Sequence, residues 1–294
     1  MQISANDVAF EVEDHGSPAG EPLMLIMGLG MQLVAWHPDF VASLVARGFR
    51  VIRFDNRDIG SSQGFDHLGV PKLAVDSLRF AFGMKVSAPY TVADMADDTA
   101  GLLDALGIAV AHVCGASMGG MIAQQLAARH PKRVKSLTLV MTSSGSRRLP
   151  CPTLKVRSAL TSRPADPTNP QSVIDHCVRL YRLIGSPGYP ATEADLNEHL
   201  GLSVQRSYRP QGIARQMVAI AADGNRSELL GRIQVPTQII HGRDDPLIPV
   251  AAGHDLAAKI ACAQTDVVDG MGHDLPVPLW PRFVAGIGGA AGRA

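Results

Sequence analysis

Apolar and polar positions along this chain follow two rhythms, one at each end, with a long stretch between them that follows neither. Val8–Glu13 alternates with the period of a half-exposed strand, and Leu23–Met27 is a short continuous apolar run like a buried one. Phe40–Arg47 has helical spacing and is stopped by Gly48. Arg50–Phe54 reads as the next strand, with Asp55–Gly60 as its loop. Thr91, with Asp94 three positions later, has the form of a capping box for a helix running to about Gly107. An apolar strand then leads to Ser117, a helix is expected over Met121–His130, and another strand over Ser136–Met141. Strands and helices alternating at these lengths predict a parallel sheet covered on both faces.

The alternation stops near Ser143. From there to about Arg232 the chain is helical or irregular in pattern, with prolines at Pro150, Pro152, Pro164, Pro167, Pro170, Pro187, Pro190 and Pro210. Val173–Ile184, Glu193–Gln205 and Ile213–Ala222 are its best helical segments. The first rhythm resumes with a strand at Pro236–His241, a helix at Ala251–Ile260, a strand at Thr265–Val268 and a last helix at Trp280–Ile287. Residues 145–231 are therefore expected to be a helical insertion between two strands of a core formed by 1–144 and 232–294. Phe65–Pro89, rich in Leu, Phe and Met, is long for a connection and reads as a surface helix or as part of the same cover.

The chemistry begins at Gly115-Ala116-Ser117-Met118-Gly119, which fits G-x-S-x-G between a strand and a helix. In that context the pentapeptide describes a turn so tight that only glycine fits two positions before and after the serine. Glycine makes up 29 of 294 residues, so the pentapeptide could arise by chance, and the strand–turn–helix setting argues against that. A neutral serine hydroxyl needs a base, and the base an orienting acid. Loops after later strands supply both: Asp244-Asp245, following the strand ending at His241, and Gly270-Met271-Gly272-His273. Sites form in loops at the carboxyl ends of parallel strands. The residues alone leave Asp244 and Asp245 as alternatives for the acid. His241, inside a strand, reads as a packed histidine. His112, His130, His176, His199 and His254 have no partner pattern.

Two backbone N–H groups are needed for the oxyanion. Met118, directly after the serine, supplies one, and Leu29, in the loop Met27-Gly28-Leu29-Gly30-Met31, the other. Gly28, Met27 and Met31 are expected to line the substrate site, and the surrounding methionines and leucine suit an apolar acyl group.

Composition narrows the rest. Lys plus Arg and Asp plus Glu are 27 each, so net charge is zero and neither nucleic acid nor an anionic membrane is expected as a partner. Hydrophobic residues make up 46%, enough for the core of one large domain. Met1–Val8 lacks a signal-peptide pattern, and no run has the length of a membrane span. Cys114, Cys151, Cys177 and Cys262 have neither C-x-x-C nor histidine spacing, so a reduced, cytoplasmic protein without structural zinc is expected.

These motifs resemble the α/β-hydrolase superfamily over essentially the whole chain. Met27-Gly28-Leu29-Gly30 resembles its His-Gly-x-Gly oxyanion loop, with Met27 in place of His. Asp55-Asn56-Arg57-Asp58-Ile59-Gly60-Ser61-Ser62 resembles D-x-R-G-x-G-x-S, with Asp58 in place of Gly. H-G-x-x-D-x-x-x-P falls on His241 to Pro249 and selects Asp245, and the GxGH motif selects His273. With Ser-Met-Gly and Gly-Met-Gly-His-x-Leu-Pro, these departures look most like the aclacinomycin methylesterase type. The resemblance implies an α/β-hydrolase fold: a mostly parallel sheet with helices on both faces and a helical cap before the strand that leads to the acid. It implies an esterase with Ser117, His273 and Asp245 as triad and no cofactor or metal. The expected partner is a small-molecule ester, and a homodimer is compatible with it. A serine at 117 removes the dehalogenase and epoxide-hydrolase branches. Perhydrolysis, lactone opening and C–C hydrolysis use the same triad. A proline-iminopeptidase reading needs cap carboxylates, for which Asp175, Glu193, Asp195 and Glu198 are candidates. A non-catalytic binder on this fold usually lacks a triad member, and none is missing.

Overall fold

The computed structural model describes residues 1–294. Eight strands make one sheet: β1 (Gln2–Ala5), β2 (Val8–His15), β3 (Glu21–Ile26), β4 (Phe49–Phe54), β5 (Ala111–Ala116), β6 (Val134–Val140), β7 (Thr237–Gly242) and β8 (Ala263–Val268). Their spatial order is β1-β2-β4-β3-β5-β6-β7-β8. The β1–β2 and β2–β4 pairings are antiparallel, and every pairing from β4 through β3 to β8 is parallel. The alternation in Val8–Glu13 follows from β2 lying near the edge, and the unbroken apolar run of β3 from its place in the middle.

Eleven helices follow the same chain order: α1 (Pro38–Val45), α2 (Leu73–Ala81), α3 (Val92–Ala105), α4 (Met118–Arg129), α5 (Leu154–Leu160), α6 (Pro170–Ile184), α7 (Glu193–Arg206), α8 (Pro210–Asp223), α9 (Ser227–Leu230), α10 (Ala251–Lys259) and α11 (Trp280–Ala291). The expected capping box is formed, with Thr91 Oγ1 accepting the Asp94 N–H and the Asp94 carboxylate accepting the Thr91 N–H. Two buried clusters lie on opposite faces of the sheet. One packs α3, α4 and α10 against it; the other packs α1 and α11. Helices α5–α9 lie between β6 and β7 in sequence. Ile174, Val178, Leu196 and Leu200 of α6 and α7 form a small apolar cluster of their own. No helix is long and apolar enough to cross a membrane.

Hydrophobic patterning missed β1 and α5, two of the shorter elements. Within 65–89 the structure places α2 with an exposed apolar surface; Phe82, just beyond its end, is 75% exposed.

Candidate active site

The six parallel strands β3–β8 all end on one side of the sheet, and the five loops after β3, β4, β5, β7 and β8 carry the site there. The loop after β5 is the tightest. Ser117 has φ 54° and ψ −119°, a region almost reserved for glycine. Hydrogen bonds on both sides hold it there. Its N–H donates to Val140 O at 2.9 Å, and its carbonyl accepts from Thr142 Oγ1 at 2.7 Å. A Cβ on Gly115 would lie 2.3 Å from Gly119 O, and one on Gly119 would lie 2.0 Å from Ile26 O. Helix α4 can leave β5 and pass β3 at this angle only if both positions lack side chains.

The side chains that the sequence singled out meet here. His273 Nε2 is 3.0 Å from Ser117 Oγ, and His273 Nδ1 is 2.7 Å from Asp245 Oδ2. The other Asp245 oxygen accepts the N–H groups of Leu247 at 2.9 Å and Ile248 at 2.8 Å, which fixes the carboxylate. With Nδ1–H donated to Asp245, Nε2 is left as the acceptor facing the serine hydroxyl. Asp245 and His273 are buried, while Ser117 keeps partial exposure.

Asp244 is exposed and points elsewhere, accepting the Gly270 N–H at 2.8 Å. His241 is fully buried and its Nε2 donates to Ile248 O at 2.8 Å; burial lowers its pKa and favours the neutral ring. Cys114 is also fully buried, which pushes its thiol up to about 12 and leaves it inert. Asp175, Glu193, Asp195 and Glu198 are all exposed, and Glu193 pairs with Arg182.

The loop after β3 lies beside the serine. A Cβ on Gly28 would be 3.1 Å from Ser117 Cβ. Met31 N–H donates to Gly28 O at 3.2 Å, closing a turn with Leu29 and Gly30 at its centre, and Gly30 has φ +69°. Asn56 Nδ2 donates to Met27 O at 2.9 Å. The N–H groups of Leu29 and Met118 donate to no atom of the protein. At Met118 this follows from its place at the first turn of α4, where amides have no intrahelical partner. The side chains of Met118 and Met27 are buried, in the first and second core clusters respectively, and Met31 packs against the second.

Three groups of supporting residues went unread in the sequence. The turn after α6 clamps the His273 loop: Ile184 O accepts the His273 N–H at 2.7 Å, and Ser186 Oγ accepts the Gly272 N–H at 2.9 Å. Ser186 also hydrogen-bonds Asp274, a carboxyl whose pKa burial raises. The second group surrounds Asp58, whose φ of +74° suits the glycine that the motif has there. Its carboxylate accepts from Arg215 Nε at 2.7 Å and Nη2 at 2.8 Å, from Tyr90 Oη at 2.8 Å and from Phe65 N–H at 2.8 Å. Burial opposes its ionisation, but these donors outweigh it and hold the pKa below the ordinary carboxylate value. The third is Gln216, on α8 beside the Gly30 amide. The only signal for these residues was local: the turn-rich Gly185–Pro190 and the irregular Asp58. No group of three or more His, Cys, Asp or Glu side chains is placed to hold a metal ion.

The model of the alpha/beta hydrolase fold matches residues 21–173. Rhodomycin D methylesterase of Streptomyces peucetius is 28% identical, over 97% of this chain and 95% of its own. Among solved structures, the enol-lactonase of Burkholderia xenovorans LB400 superposes with a TM-score of 0.76 at 26% identity, covering 99% of each chain. A meta-cleavage product hydrolase of Pseudomonas fluorescens IP01 superposes with a TM-score of 0.72 at 22% identity, over 97% of this chain and 94% of its own, a likeness of fold alone.

Proposed function

Since this chain belongs to the α/β-hydrolase family, we propose that it is a serine carboxylic-ester hydrolase working through an acyl-enzyme. The observation that carries this reading is the relay from Ser117 Oγ through His273 to Asp245, with contacts of 3.0 and 2.7 Å. His273 takes the hydroxyl proton as Ser117 attacks the ester carbonyl. Asp245 holds the imidazole in the required tautomer and stabilises the imidazolium. The tetrahedral oxyanion is bound by the N–H groups of Leu29 and Met118, two amides near Ser117 that have no acceptor within the protein. Each such donor contributes about 3–4 kcal/mol to the transition state. His273 then gives its proton to the leaving alcohol, and a water activated by the same base releases the acid. Nothing in this cycle calls for a metal or cofactor.

In this reading residues 1–144 and 232–294 form the catalytic core and 145–231 a cap that closes over Ser117. Gly28 lies against Ser117 at the acyl site. The Met27 side chain is in the core behind that loop with Met31 packed against the same cluster, so neither methionine lines the site as the sequence suggested. Small to medium apolar esters are the substrates, and the full-length likeness to a methylesterase makes a methyl ester the first to try. Lactone opening is a second reading, supported by the 26% identity to an enol-lactonase over 99% of both chains. It uses the same steps on an intramolecular ester. Four free cysteines suit a reducing, cytoplasmic setting.

Ser117→Ala tests the reading. Hydrolysis of a short-chain aryl ester is expected to fall by at least about 10⁴-fold, with the melting temperature close to that of the unaltered protein. Turnover near the native rate would overturn it.

A further inference from the structure

We propose that Gln216 is a positioning residue for the oxyanion loop, so that cap helix α8 determines where the Leu29 N–H points. This rests on the reading of Leu29 as an oxyanion donor. Gln216 is fully buried on α8, and both ends of its carboxamide are used. Oε1 accepts the N–H of Gly30 at 2.9 Å, and Nε2 donates to Arg57 O at 2.9 Å. Gly30 directly follows Leu29 in the turn closed by Met31 and Gly28. The Arg57 carbonyl belongs to the loop after β4. One side chain therefore joins two core loops to each other and to the cap.

A carboxamide is the group that fits. The two backbone atoms are one donor and one acceptor, and only an amide of this length offers both complements without charge. Its orientation follows from the same pairing, because the flipped amide would set donor against donor and acceptor against acceptor. In an apolar isostere the buried Arg57 carbonyl and the half-buried Gly30 N–H would both lose their partner.

The helix that carries Gln216 is itself fixed to the core. Arg215 and Asp58 form a two-pronged ion pair with neither side chain exposed. Gly212 lies against the Asp58 carbonyl so closely that a Cβ there would be 2.2 Å from the oxygen. Ile213 packs over Gly30, where an added Cβ would be 3.1 Å from its Cγ1. Residues 212, 213, 215 and 216 thus form one face of α8 laid on the loops after β3 and β4. A loosened Gly28–Met31 turn would still accept the neutral ester. It would meet the developing oxyanion with a misaligned donor, and loss of alignment is felt in the transition state.

Two variants test this. Gln216→Met keeps the length and removes both hydrogen bonds. Gln216→Glu keeps an acceptor for Gly30 and loses the donor to Arg57. For an aryl ester, Gln216→Met is expected to lower kcat by about 10- to 100-fold, a fraction of what loss of a whole oxyanion donor costs, with KM changed by less than about threefold. Affinity for a boronic acid, which forms a tetrahedral adduct on Ser117, should weaken by the same factor as kcat/KM. Gln216→Glu is expected to lie between Gln216→Met and the unaltered protein in both readouts. If Gln216→Met does not fold, a parallel loss of kcat and boronate affinity in Gln216→Glu supports the proposal in its place. A folded variant with native kcat and boronate affinity, or with its whole loss in KM, would overturn the proposal. A purely structural role would lower the melting temperature and leave both untouched. If Ser117→Ala also left hydrolysis intact, the failure would lie in the underlying reading. If Ser117→Ala abolished it while both Gln216 variants behaved as native, only the role of Gln216 would fall.

Discussion

Asp244 and Asp245 are adjacent, chemically identical, and placed in different surroundings. Asp245 is buried, accepts two backbone amides and faces His273 Nδ1 at 2.7 Å. Asp244 is exposed and ties down the Gly270 amide. Asp245→Asn keeps the shape but presents the imidazole with the wrong partner, so kcat is expected to drop by about 10³–10⁴-fold. Asp244→Asn keeps an oxygen for Gly270 and should change kcat by less than about threefold. Steady-state kinetics on one aryl ester separates the two; equal losses would contradict the assignment of the acid. Residue types and loop positions brought Ser117, His273 and the acidic pair into view, because each sits in its own short loop after a strand. They could not choose within the pair, since the choice depends on where a turn points each side chain. A motif spanning His241 to Pro249 was needed for that.

At the scale of elements, the departure at Asp58 and the burial of Arg215 are one feature. The loop after β4 needs a residue at φ +74°, and aspartate is among the few non-glycine types that tolerate it. Its carboxylate then neutralises Arg215 on α8. The irregular Asp58 was visible in the sequence. Its partner was not, because 157 residues separate the two and no periodicity links a loop to a distant helix. Asp58→Gly relieves the backbone but leaves Arg215 buried with Asp66 and the Gly69 carbonyl as its remaining partners. The expected cost is about 3 kcal/mol, the lower end for a broken buried pair because Asp66 keeps one contact. Denaturant titration checks it. Arg215→Met in the Asp58→Gly background should recover part of the loss, and a further drop would contradict the pairing. The alternating strands and helices of the core were legible for the opposite reason: their packing demands repeat along the chain.

At the scale of the whole molecule, the helices between β6 and β7 touch both sides of the site. The turn after α6 holds the His273 loop through Ile184 and Ser186, while α8 holds the Leu29 loop through Gln216. The insertion was legible as an interruption of the strand–helix rhythm. Its attachments were not, because they run through backbone atoms and single polar side chains that carry no pattern. A site assembled from five loops and steadied by an insertion must deliver a reactive serine at one position. The most direct measurement is intact-mass and peptide mapping after brief exposure to a fluorophosphonate. The expected result is one stoichiometric phosphonyl adduct on the peptide containing Ser117, absent in Ser117→Ala and formed at least about 100-fold more slowly in His273→Ala. A folded protein that takes up no label, or carries it on a residue other than Ser117, would contradict the assignment of this centre.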